Sequence, residues 1–183
     1  MSGPSLIVTG VDTGMLGALV TVQPDGRPLG ATILLPGKRE ASWSTPDPRQ
    51  LAMVHGQMTR HVTFHAPDCV AYEQVSVTRG VSAARSLFMC EAMLLRLTDD
   101  LGLSAWPVQQ QTLRGWVKKR LGIAKWEKGR GKQQVMDALG PLVMQELVEL
   151  TGAKVPEKRW PDLADAYLCA RWAQHTIRLK TED

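Results

Sequence analysis

"LIVTGVDTGMLGALVTV", residues 6 to 22, holds two apolar runs parted by a short turn, with the carboxylate of Asp12 at the end of the first. β-Branched residues make each run strand-like, over 5 to 11 and 17 to 22, with "DTGM" between them. "QPDGRP" at 23 to 28 is turn chemistry, and "LGATILL" follows as a third strand, so the chain opens on a three-strand meander. A carboxylate among residues that otherwise suit a sheet interior needs an explanation, because an unpartnered buried charge costs several kcal/mol.

Beyond the meander the periodicity alternates. The spacing predicts a loop over 36 to 48, a helix over 48 to 62, a strand over 69 to 77 and a helix over 82 to 102 capped by Ser82 and ended by glycine. A short strand at 104 to 109, a helix at 110 to 122 and the loop "IAKWEKGRG" come next. A helix from Lys132 onward is interrupted at Gly140-Pro141, and a last helix runs from Pro161 to Leu179. Strands first, then helix and strand in alternation, predict a mixed α/β sheet with helices on both faces. The 82 to 102 helix is apolar around most of its circumference, so more than one face must be covered, either within the chain or by a second copy.

The 183 residues suffice for one core, and a single domain over 1 to 183 is expected. No apolar run reaches the roughly 18 residues that span a bilayer, and the N-terminus lacks the basic region of a secretory signal. A cytoplasmic protein, without membrane partners, is the expectation. Cys69, Cys90 and Cys169 are odd in number and lack C-x-x-C pairing, which predicts buried free thiols in a reducing compartment. The four histidines lack metal-motif spacing, so any metal would be held by oxygen.

The net charge of +4 is localised. Between residues 118 and 132, seven basic residues (Lys118, Lys119, Arg120, Lys125, Lys128, Arg130, Lys132) face one acid, Glu127, so the rest of the chain carries a net −2. A basic strip on a mildly acidic protein is the electrostatic footprint of a polyanion partner. Trp116 and Trp126 lie within it as rings that could stack on bases, although helical spacing makes Trp116 partly a core residue.

Four acids stand out against this background. Asp12 ends a strand, and Glu73, in "VAYEQV", falls inside one. Asp162 and Asp165, three apart in the first turn of the last helix, share a face, where the helix dipole also favours negative charge. Carboxylates that converge repel one another unless cations lie between them, and Mg²⁺ suits an oxygen-only set that leaves room for water and phosphate. Two such ions clamp the attacking and leaving oxygens of an in-line phosphoryl displacement.

"VTGVDTG", "VAYEQV", "WPVQQQTLRGWV" with "GRGKQQVMDAL", and "WPDLADAYLCA", in this order, resemble the RuvC-type Holliday junction resolvases of the ribonuclease H-like superfamily over nearly the whole chain. The resemblance implies a homodimeric endonuclease, dependent on two Mg²⁺ ions per active site with Mn²⁺ as substitute, that nicks paired strands of a four-way DNA junction in a bacterial or phage-infected cell. It places the acidic tetrad on Asp12, Glu73, Asp162 and Asp165, the lysine near the scissile phosphate on Lys132, and another basic position on Lys118 or Lys119. Arg79 and Arg85, flanking the start of the long helix, become candidates for junction contacts. Ser76 stands where cellular family members usually carry an aromatic three residues after the glutamate, and "DTG" replaces the commoner D-P-G, a divergence that resembles the versions carried by phages, some of which cut a broader range of branched DNA. Two other functions fit parts of the sequence: a structured-RNA or general branched-DNA nuclease of the same fold, and a non-catalytic structure-specific DNA-binding protein. An actin-like phosphotransferase shares the opening strand, D-x-G and strand but needs a second domain.

Overall fold

A computed structural model describes residues 6–36, 47–74 and 81–182. Among them, five strands form one sheet in the order β3-β2-β1-β4-β5. They are β1 (Val8–Asp12), β2 (Ala18–Val22), β3 (Pro28–Ile33), β4 (Cys69–Glu73) and β5 (Ser104–Val108). β1, β2 and β3 are the antiparallel meander, while β4 runs parallel to β1 and β5 parallel to β4. The chain thus leaves β1 toward one edge and returns on its other side, a switch point at which open sheets place ligands beyond the carboxyl ends of their parallel strands. Asp12 and Glu73 are the last residues of β1 and β4.

Strand parity decides which way they face. Val8, Ala18, Val20, Val22, Cys69 and Ala71 belong to one core, and Val11, Leu19, Val70 and Tyr72 to a second on the opposite face. Residues two apart share a side, so Asp12 and Glu73 fall on the first face. That face is covered by α3 (Gln110–Arg120), α4 (Gly131–Leu139), α5 (Pro141–Glu149) and α6 (Trp160–Glu182), and the second by α1 (Pro48–His65) and α2 (Val81–Asp100). Helices lie on both faces, as the alternation of elements predicts.

α6 packs directly on β1, and the contact depends on Gly10: a Cβ there would overlap the Ala166 carbonyl oxygen and the Ala170 amide nitrogen. α1 begins where Asp47 caps the Arg49 N–H at 2.9 Å with Pro48 at the first position, and it runs three residues beyond the predicted end. The break at Gly140-Pro141 separates α4 from α5 as expected. Ser82 lies inside α2 rather than at its cap, and the predicted loop 36 to 48 falls mostly outside the described residues. Of the cover expected for more than one face of α2, the single chain supplies one stripe. Leu94, Cys90 and Leu97 are buried, while Phe88, Met89 and Leu95 are exposed with Arg85 along the opposite stripe. Cys69, Cys90 and Cys169 are free and buried. No helix among the described residues is long and apolar enough to cross a membrane.

A buried polar chain ties α1 to the meander. The Thr9 and Thr21 hydroxyls lie 2.7 Å apart, Thr21 is 2.9 Å from Nε2 of His61, and Thr32 is 2.8 Å from Nδ1. Burial, with the neighbouring His65, lowers the His61 pKa from 6.5 to about 3. The unfolded chain therefore binds a proton that the folded chain refuses between these values, and stability falls as pH drops through that window. Acidification from pH 7 to 4 is expected to cost about 3 kcal/mol through this residue alone. Urea unfolding across that range tests it: His61→Gln should flatten the acid limb, and an unchanged limb would refute the assignment.

Candidate active site

At the carboxyl ends of β1 and β4 a cavity of about 690 Å³ opens between the sheet, α3, α4 and α6. Asp12, Glu73, Asp165 and Lys132 all line it. β1 and β4 supply the first two through adjacent parallel ends, α6 supplies Asp165 from its second turn, and α4 supplies Lys132 from its first. Thr13 follows Asp12 and donates its hydroxyl to the Glu73 carbonyl, which ties the two strand ends together.

β4 is an interior strand of the sheet, flanked by β1 and β5, and Glu73 is its last residue and half-buried. Its position at the switch point, where it lines the cavity, makes it a candidate site residue.

The electrostatics are those of a site with surplus negative charge. Burial, followed by the charges of Asp165 and Asp162, holds the Asp12 carboxyl well above the usual carboxylate range. Burial also raises Asp165, against the pull of Lys132. Lys132 supplies the compensating charge, with its Nζ 3.4 Å from both Asp162 Oδ1 and Asp165 Oδ2. Burial works against that ammonium, but Asp165, Asp12 and Asp162 together raise its pKa. Among the described residues, no three acids, histidines or cysteines are gathered closely enough to hold a metal ion as they stand. The donor chemistry nevertheless fits a hard cation, since the acids lining the cavity offer only oxygen and Asp12 is already destabilised by its neighbours.

Asp162 differs from the other three. It does not line the cavity; Arg159 Nε grips its Oδ2 at 2.7 Å, and both side chains are largely buried. Arg159 also donates through Nη2 to the carbonyls of Leu16 and Gly17, so one guanidinium joins the β1–β2 turn to the start of α6. Arg159→Met is expected to cost about 3 kcal/mol, because it leaves a buried carboxylate and two carbonyls short of donors. Combining it with Asp162→Asn should cost less than the sum of the two, and strict additivity in thermal unfolding would refute the coupling.

The basic strip borders the cavity. Lys128 lines it with Trp126 and Gly129, whereas Lys118, Lys119 and Arg120 are exposed on the last turn of α3 and Lys125 and Arg130 are exposed on the loop after it. Arg130 pairs with Glu127 at 3.0 Å. Trp116 is half-buried against the core and 6.0 Å from His175 between ring centroids, as its helical spacing predicts. Arg85 is exposed on α2, and Arg79 and Ser76 lie outside the described residues. Sequence reasoning missed Arg114, which lines the cavity one helical turn after Gln110, and Arg159, whose i, i+3 spacing to Asp162 was the available signal.

No family model matches the sequence, and a comparison with curated proteins gives no match. Solved structures do match. RuvC of T. thermophilus in complex with a Holliday junction substrate aligns with TM-score 0.60 and 20% identity over 96% of each chain. A further Thermus thermophilus RuvC structure aligns at 0.56 and 21% identity over 93% of this chain and 96% of that one. The yeast mitochondrial Holliday junction resolvase Ydc2 aligns at 0.64 and 14% identity over 99% and 83%. The chain has the ribonuclease H-like fold of the RuvC-type Holliday junction resolvases.

Proposed function

We propose that this protein is a metal-dependent endonuclease that resolves four-way DNA junctions by paired nicking. The observation that carries the proposal is the convergence of Asp12, Glu73, Asp165 and Lys132 on one cavity at the sheet's switch point, bordered by a basic strip. A non-catalytic binder has use for the strip but none for three carboxylates facing a polyanion, which they would repel. The resemblance of the fold to proteins that act on Holliday junctions supports the choice of substrate.

Asp12, Glu73 and Asp165 would hold Mg²⁺ or Mn²⁺, two ions per site, with Asp162 as the fourth carboxylate, held in place by Arg159. When bound, such ions lower the pKa of a water for attack and stabilise the departing 3′ oxygen. Lys132, freed from its two aspartates, would reach a non-bridging phosphate oxygen and neutralise charge there. Lys118, Lys119, Arg120, Lys125, Lys128 and Arg130, with Arg114, would track the backbone without reading sequence, and Arg79 and Arg85 would contact the arms.

Paired nicks require two sites in one assembly. The exposed stripe of Phe88, Met89 and Leu95 on α2 suits a homodimer contact, and isologous pairing would cover it in both copies. An end-labelled synthetic junction, its linear duplex arms, and Mg²⁺ or EDTA form the test. Mg²⁺-dependent, symmetric nicks confined to the junction are expected, with cutting suppressed by added salt. Equal cutting of linear duplex would favour a general nuclease, and binding without cutting would leave a structural binder.

A further inference from the structure

The site residues account for only part of the cavity's lining. Besides the carboxylates and the charged Arg114, Glu127 and Lys128, its lining includes Leu113, Val117, Val135 and Leu168, all buried, with Trp126 from the loop between α3 and α4. Gln74 and Gln110 line the same space. Charge and hydrogen bonds suffice to track a phosphodiester backbone, so an apolar wall with an indole serves no purpose for it. The base is the part of a polynucleotide that presents an apolar face, and a base can reach this wall only when it leaves its stack.

Trp126 is held as a wall rather than left as a loose loop residue. The side-chain amide of Gln134 grips the backbone on both sides of it, accepting from the Glu127 N–H at 2.8 Å and donating to the Lys125 carbonyl at 2.9 Å. The loop is anchored again where the Ile123 N–H bonds the Lys118 carbonyl at 3.0 Å. The ring itself is half-buried, whereas the four aliphatic residues of the wall are fully covered. A volume of about 690 Å³ lies within the range of roughly 300–1,000 Å³ that small-molecule pockets occupy, ample for one nucleotide beside the carboxylates.

We infer that this cavity is a nucleobase site: a base next to the phosphate at Asp12 and Glu73 leaves its stack and lies against the Trp126 ring, with Gln74 and Gln110 facing its edge. The inference rests on the nuclease reading for the position of the phosphate. It makes Trp126 a contact residue whose effect depends on which nucleotide flanks the cut.

The test uses four-way junctions carrying a single 5-iodouracil at successive positions near the crossover, bound by the full chain in EDTA, irradiated, and analysed for the crosslinked peptide. One position should crosslink to the peptide that contains Trp126; Trp126→Leu should lose that crosslink, and Trp126→Phe, which keeps a ring, should retain it. With Mg²⁺, an abasic residue at that position should lower wild-type kcat/KM roughly tenfold, in line with the stacking free energy of one base. Trp126→Leu should then cut the parent and abasic junctions alike. No crosslink at Trp126 from any position, or the same abasic penalty in Trp126→Leu, would overturn the base site while normal cutting preserved the nuclease. A Trp126 crosslink in a junction that is never cut would uphold the base site and remove the nuclease.

Discussion

Asp12→Asn and Glu73→Gln should each abolish junction cutting, by about a thousandfold or more, while leaving junction binding in EDTA intact. Each exchange keeps the shape of the side chain and removes the charge, so packing at the ends of β1 and β4 is undisturbed. The Asp12 exchange carries a second expectation of opposite sign. Burial and the nearby Asp165 and Asp162 push the Asp12 carboxyl far above its usual range, so its charge at neutral pH is a cost to the folded chain. Removing that charge should raise the thermal stability of the metal-free protein at pH 7. Loss of activity with a gain in thermal stability is the pattern of a residue kept for chemistry, and a less stable Asp12→Asn in EDTA would contradict it. Cutting at the wild-type rate in either variant would remove that carboxylate from the site.

Gly10→Ala should be among the most damaging single-methyl changes in the protein. The added Cβ meets the Ala166 carbonyl and the Ala170 amide, backbone atoms that cannot rotate aside, so α6 as a whole must lift from β1. Overpacking of this kind costs about 3 kcal/mol, or roughly 10 °C in Tm for a chain of this length. Because α6 carries Asp162 and Asp165, activity should fall further than stability explains: a 1 Å misplacement of a reacting group can cost about a hundredfold. Gly56→Ala is the control. It lies within α1 with open space around the new methyl and should stabilise by about 0.5–1 kcal/mol. If the two variants melted together, close packing of α6 on β1 would not be what organises the site.

Much of this arrangement was legible in the residues. The meander, the strand at Cys69, the helices and the break at Gly140-Pro141 follow from local period and from glycine and proline chemistry, which act within a few residues. Asp12, Glu73, Asp162 and Asp165 stood out as residue types in unusual company and the family resemblance added Lys132; all of these but Asp162 line one cavity. Glu73 was expected inside a strand over 69 to 77; it lies in β4, as its last residue, and residues 75 to 77 fall outside the described residues. α2 was expected to be covered on more than one face, and its apolar surface does not state whether its own chain or a second copy covers it; the chain itself leaves Phe88, Met89 and Leu95 exposed. Arg159 and Gln134 escaped notice for a common reason. Each acts through hydrogen bonds to backbone groups of another segment, and a backbone carbonyl leaves no trace in the residue types around it.

What the sequence determined by itself is therefore the set of elements and which residues share a side within each strand: alternation puts Gly10 with Asp12 on one side of β1, and Ala71 with Glu73 on one side of β4. The tertiary structure alone decided what stands opposite. Parallel pairing of β1 with β4 sets the two strand-end acids side by side, and docking of α6 on Gly10 brings Asp165 to a residue 153 positions earlier in the chain. Lys132 arrives from a third element, and Arg159 bolts the β1–β2 turn to α6. Hydrophobic burial drives such docking but has no direction, so the partner of each face is chosen by the fit of whole elements, a property that no short stretch of residues contains.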